Sequence, residues 1–235
     1  MDRAQILNAI AWYALFVFST VCHEAAHATA AWRLGDPTAQ RGGQVSLDPW
    51  PHIRREPIGM VFAPLLFLFM GGGMLGWAST PYDRRWAATY PRRAAWMALA
   101  GPATNFALCL AAGLLLRAGL DQGLFVRPAV VTLSATVAVP GGGWALGASQ
   151  LLSILFSLNL LLGFFNLIPF PPMDGSGLFG LILPGPASLW LQAYFRRPLA
   201  RFLGMLLAWY AFPLLFGPIY SAGMRTLYWG LPLPK

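Results

Sequence analysis

Charged residues are scarce in this chain: Asp, Glu, Lys and Arg make up 10% of its 235 residues, while 57% are hydrophobic. A soluble domain carries about 25% charged residues. Water does not solvate that much apolar surface, so the composition excludes an ordinary water-soluble globule and calls for a lipid bilayer as the surrounding medium. Lysine is nearly missing; Lys235 is the single one, and the other basic residues are arginines. The formal net charge of +8 does not mark a nucleic-acid binder. The arginines flank apolar runs, as at Arg84, Arg85, Arg92, Arg93, Arg196 and Arg197, and no basic face with interleaved aromatics stands apart from them. They read as headgroup anchors, and no nucleic-acid partner is expected. Cys22 and Cys109 both lie in apolar stretches, which excludes a disulfide framework or a CxxC metal site. The long apolar runs lack the polar–apolar alternation of a transmembrane β-barrel.

Apolar runs long enough to span a membrane, about 20 residues each, cover approximately Ile6–Trp32, Ile58–Ser79, Ala94–Leu116, Trp144–Pro169 and Leu199–Tyr220, the last with Pro213 inside it. Gly175–Leu183 is too short to span alone and reads as a partial or re-entrant helix. The expected fold is an all-α polytopic membrane protein, a single domain over residues 1–235 built as a bundle of about five to six transmembrane helices. Between the first two runs, Gln44–Asp48 alternates polar and apolar, which predicts a short β segment at the membrane surface. Pro140–Gly143 reads as a flexible connector. The first run is not a cleaved signal sequence, because His, Glu and His fall in its middle. With five spans the basic residues divide eight against eight, so orientation is undetermined.

The chain has three histidines and two glutamates. Two of those histidines and one glutamate form His23-Glu24-Ala25-Ala26-His27, an HExxH sequence inside an apolar run. Helix positions i and i+4 share a face, so His23 and His27 can direct ring nitrogens at one ion. Glu24, about 100° around the helix, reaches a water at that ion without taking a ligand position. Zinc would lower that water's pKa, and Glu24 would accept its proton as catalytic base. Three ionisable residues at bilayer depth each cost at least about 2.5 kcal/mol, so the cluster needs a compensating partner, and one Zn2+ is expected. Ala25 and Ala26 leave room for a substrate backbone.

A catalytic zinc usually takes three protein ligands. Most remaining acids fall in loops, but Asp174 closes the fourth apolar run in Asn166-Leu167-Ile168-Pro169-Phe170-Pro171-Pro172-Met173-Asp174-Gly175. Those prolines break the helix and free carbonyls at depth, which makes Asp174 a candidate carboxylate ligand. The same residue could instead cap the short helix after it. His52, in the surface segment, is the rival third ligand.

The two motifs together resemble the site-2 protease family of intramembrane zinc metalloproteases, whose signature is HExxH in one transmembrane helix and Asn-x-x-Pro…Asp-Gly in a later one. Gly101-Pro102-Ala103-Thr104-Asn105 is similar to that family's Gly-x-x-x-Asn motif, and the resemblance covers roughly residues 15–180. It implies that His23, His27 and Asp174 bind zinc, that Glu24 is the base, and that Asn105 and Asn166 stabilise the oxyanion or hold the substrate. The implied partner is a transmembrane protein cut within or near the bilayer. The expected location is the cell (inner) membrane of a prokaryote. No PDZ or nucleotide-binding regulatory domain is expected, as in the compact members. Asp48 stands where Asn is common, and Arg54-Arg55-Glu56 is inserted before Pro57. Residues Gln44–Asp48 are expected to offer an edge to an extended substrate. Two other classes stand beside this one: an inactive relative that binds membrane helices, and a metal transporter, which would need acids on several helices.

Overall fold

A computed structural model describes residues 2–70 and 75–233. Asp2 opens the first helix with a capping box: Gln5 N–H donates to its carboxylate, and Asp2 N–H donates to the Gln5 side chain. Helix α1 then runs unbroken over Arg3–Arg33, α6 over Pro91–Asp121, α7 over Trp144–Asn166 and α10 over Pro198–Leu227. These four are long and apolar enough to cross a membrane. Shorter helices connect them: α2 (Thr38–Arg41), α3 (Pro49–Arg55), α4 (Ala63–Phe69), α5 (Arg84–Thr89), α8 (Phe179–Ile182) and α9 (Gly185–Phe195).

The structure differs from expectation over the second apolar run. A π-helical turn at Ile58–Phe62 leads into α4. Trp77 N–H then donates to Gly59 O at 3.0 Å, so the chain has returned to where that helix began. Ser79 O accepts from Gln44 Nε2 at 3.3 Å and from Arg55 Nε at 3.0 Å. This run is therefore a re-entrant hairpin. Residues 71–74 of the expected span lie outside the described residues. Helical apolar patterning alone does not distinguish a helix that crosses from one that turns back.

The return re-sorts the helix ends. Leu34 O, just past α1, accepts from Trp86 Nε1 (3.4 Å) and from Arg93 in the first turn of α6 (3.2 Å). At the other end, Gln150 of α7 donates to Asn8 of α1 at 2.9 Å. There too, Arg117 of α6 donates to Leu227 O at the close of α10 at 3.4 Å. One end thus gathers eleven arginines: Arg33, Arg41, Arg54, Arg55, Arg201 and the pairs at 84–85, 92–93 and 196–197. The other holds Arg3, Arg117, Arg127 and Arg225, with Lys235 outside the described residues. The even division expected from five spans arose from counting the hairpin as a crossing.

No strand forms among the described residues. Local turn chemistry claims Gln44–Asp48 instead: Asp48 N–H donates to Ser46 Oγ (3.0 Å), and Asp48 caps α3 by accepting from Trp50 N–H (2.9 Å). The loop that precedes the Pro140–Gly143 connector is organised. Val126 and Ala138 exchange backbone hydrogen bonds of 2.8 Å, and Thr136 binds Ser153 of α7. The largest apolar cluster lies at this arginine-poor end, where Leu116, Phe125, Phe156 and Tyr228 join α6, α7 and α10.

Single cysteines at Arg41, Thr89 and Arg127, in a background lacking Cys22 and Cys109, test the hairpin. Positions 41 and 89 are expected to label from one membrane face and 127 from the other. By the positive-inside rule, 41 and 89 are the pair protected in intact cells. Labelling of 41 and 89 from opposite faces would restore the crossing.

Candidate metal centre

His23 and His27 lie one turn apart on α1, both buried, with ring centroids 4.6 Å apart and planes at 80°. Their Nε2 atoms are 2.9 Å from each other. The third group arrives from the far end of α7. After Asn166 the chain turns through its prolines and packs Gly175 against the carbonyls of Leu167 and Ile168, where any side chain would collide. That close approach aims the Asp174 carboxylate back at α1. Its Oδ2 stands 3.0 Å from His23 Nε2 and 3.2 Å from His27 Nε2. Among the described residues, His23, His27 and Asp174 are the one group of three such side chains with atoms close enough to share an ion.

The donor set fits zinc. Tetrahedral ligands at about 2.0–2.1 Å are separated from one another by roughly 3.3 Å, close to the triangle observed. His27 Nδ1–H donates to Met97 O at 2.7 Å. A backbone carbonyl only accepts, so that proton is fixed on Nδ1 and the Nε2 lone pair is free. His23 Nδ1 faces Asn105 Oδ1 at 2.5 Å, which leaves the same lone pair free there. Two lone pairs and a carboxylate at these separations repel unless a proton or a metal cation sits among them.

Helix α6 forms the back wall. Met97, Gly101 and Asn105 repeat at i, i+4 and i+8 on one face. The outer two accept the imidazole protons, and Gly101 leaves the space the rings occupy; a Cβ there would lie within van der Waals contact of both Nε2 atoms. Glu24, 5% exposed, takes a different partner: Thr80 Oγ1 is 2.6 Å from its Oε2 and 3.0 Å from its backbone carbonyl. Thr80 lies on the extended return segment of the hairpin, which forms no strand. Its neighbour Ser79 is held by Gln44 and Arg55 and donates to Glu56 Oε1. A groove of about 810 Å³ runs along the outer face of α1, bounded by Ala25, Ala26 and Thr29, by Val45–Leu47, and by Ala100 and Thr104 of α6.

His52 is buried away from this cluster, with Nε2–H donating to Ser46 O at 3.1 Å. Asn166 is half-buried and donates to Leu162 O of its own helix at 3.0 Å. Asn105 lies behind His23. Thr80 and Asn159, the latter bonded to Asn105 (2.9 Å), had no motif to announce them. An amide in the middle of the apolar run around Asn159 was the available signal.

Gly101→Ala is expected to cut the zinc content of the purified protein by about tenfold or more, read by elemental analysis, with the helical signal retained. Full zinc occupancy in that variant would show that the imidazoles are free to move.

The model of peptidase family M50 matches residues 11–208. A Bacillus subtilis protein named "Putative zinc metalloprotease YwhC" is 32% identical over 179 residues, covering 75% of this chain and 71% of that protein. "Putative zinc metalloprotease Rip2" of Mycobacterium tuberculosis is 33% identical over 160 residues, covering 68% of this chain; the match spans about half (52%) of that longer relative. No solved structure matches. The motifs, the apolar helices and the family match over most of the length agree, and the chain belongs to peptidase family M50, the site-2 proteases.

Proposed function

We propose that this chain is an intramembrane zinc metalloprotease that hydrolyses peptide bonds of membrane-protein substrates. In this reading one zinc is held by His23, His27 and Asp174, and Glu24 is the base. The observation that carries it is the convergence of two α1 imidazoles and the Asp174 carboxylate beside a buried glutamate. When bound, zinc polarises the scissile carbonyl and acidifies the attacking water. Glu24 takes the water proton on one carboxylate oxygen and delivers it to the leaving amine nitrogen. Thr80 holds the other oxygen, which keeps the carboxylate from turning away. Asn166 has one amide proton beyond its bond to Leu162 O, and that proton is available to a substrate carbonyl. The arginine asymmetry supports a cytoplasmic position for the metal end.

The groove along α1 supports an extended substrate. Small side chains form its floor. Among the described residues, no acceptor faces the N–H of Val45, Ser46 or Leu47, so these donors are available for pairing although the segment forms no strand within this chain and Ser46 O is taken by His52. Val45→Pro is expected to slow cleavage roughly 2–10-fold, the worth of one backbone hydrogen bond, with zinc content unchanged. Cleavage at the wild-type rate would remove the groove from the mechanism.

Transport loses support because a single donor cluster occurs among the described residues. An inactive relative and an active protease are separated by turnover. Glu24→Gln is expected to retain zinc and lose cleavage of a membrane-protein substrate by about 100-fold or more, while His23→Ala loses both. Equal cleavage by purified Glu24→Gln and wild type would overturn the assignment.

A further inference from the structure

Behind His23 lies a chain of buried polar groups that extends away from the metal donors. His23 Nδ1 meets Asn105 Oδ1 at 2.5 Å; Asn105 Nδ2 donates to Asn159 Oδ1 at 2.9 Å; Asn159 Nδ2 donates to Ser19 Oγ and to Leu155 O, each at 2.9 Å. Ser19, Asn105 and Asn159 are each 0% exposed, so no solvent substitutes for any of these bonds. The chain leaves α1, passes through α6 and α7, and comes back to α1.

Its direction is determined from the far end. Leu155 O is a backbone carbonyl and only accepts, so the Asn159 amide must present its NH₂ to it. The Asn159 carbonyl then faces Asn105, which forces the Asn105 NH₂ toward it and the Asn105 carbonyl toward His23. A carbonyl opposite Nδ1 requires the proton there and, in the neutral imidazole, leaves Nε2 bare. His27 reaches the same tautomer by a single bond to Met97 O. The two histidines thus differ in design: one is locked directly by a backbone carbonyl, the other through two side-chain amides.

We propose that Asn159 and Asn105 are positioning residues for the metal centre. Asn159 orients Asn105, and Asn105 holds His23 in the Nδ1–H tautomer that offers Nε2 to zinc. Asn105, 0% exposed behind His23, therefore acts through that ring, with its carbonyl committed there and one amide proton committed to Asn159, rather than as an oxyanion donor. This inference rests on the zinc reading above and extends it to two amides behind the ligands.

The test is zinc affinity of the full-length chain in detergent, measured by competition with a fluorescent chelator, so it needs no substrate. Asn105→Leu is expected to weaken zinc binding by about 10–100-fold, as loss of a histidine's outer partner does. Asn159→Leu, remote from the ion, is expected to weaken it in the same direction by releasing Asn105 to rotate. Asn105→Asp keeps an acceptor opposite Nδ1–H but removes the donor to Asn159 Oδ1, and is expected to bind zinc more tightly than Asn105→Leu. Wild-type affinity in both leucine variants would overturn the proposal, and so would an aspartate variant as weak as Asn105→Leu. An oxyanion role predicts unchanged affinity in Asn105→Leu with slowed cleavage only. If the wild type binds zinc but cuts nothing, the protease reading falls and the relay stands. If the wild type binds no zinc, both fall.

Discussion

Two bare imidazole nitrogens and a carboxylate oxygen lie within 2.9–3.2 Å of one another inside an apolar bundle. With no proton or metal cation between them such a cluster is repulsive, and at bilayer depth no bulk water relieves it. Most of the neighbouring structure maintains this arrangement. The Gly175 turn brings a late acid to an early helix, Gly101 opens the space for two rings, and carbonyls on α6 and α7 decide where the imidazole protons reside. Interhelical hydrogen bonds in membranes contribute only about 0.6–2 kcal/mol each. Their larger effect here is to choose one tautomer and one helix register.

The grouping of the donor side chains was legible in the sequence to a greater degree than the topology. HExxH fixes its own geometry, because four residues bring a helix back to the same face. Asp174 stood out as the lone acid closing an apolar run, although only the fold brings it to His23 and His27. The hairpin was missed although the sequence carried a sign of it: Ile58–Phe69 is as apolar as a crossing helix, but Gly71-Gly72-Gly73 interrupts the run before Trp77 N–H reaches Gly59 O. Alternation at Gln44–Asp48 suggested a strand, but a strand needs a partner, and Ser46 and Asp48 bind their own backbone first. Thr80 and Asn159 carry one polar group each and acquire a role only through a neighbour distant in sequence.

The departures from the family pattern near the surface acquire a physical account. Asp48 accepts from Trp50 N–H ahead of Pro49 and so starts α3, a task Asn performs equally well at a helix N-terminus. The inserted Arg55 and Glu56 both grip Ser79, the residue before the one that holds Glu24. An irregularity at the interface therefore fixes the return segment whose next hydroxyl reaches Glu24.

The face of α6 carrying Met97, Gly101 and Asn105 leaves that helix almost no freedom relative to α1. A slip of one residue shifts a helix by about 1.5 Å, enough to part His27 from the Met97 carbonyl and to drive a side chain into the rings. These two helices thus behave as a single rigid wall. Of the four crossing-length helices, α10 buries the least of its surface against the others and carries Pro213 and Pro218, so a shift against that wall would break fewer contacts there than in α1 or α6.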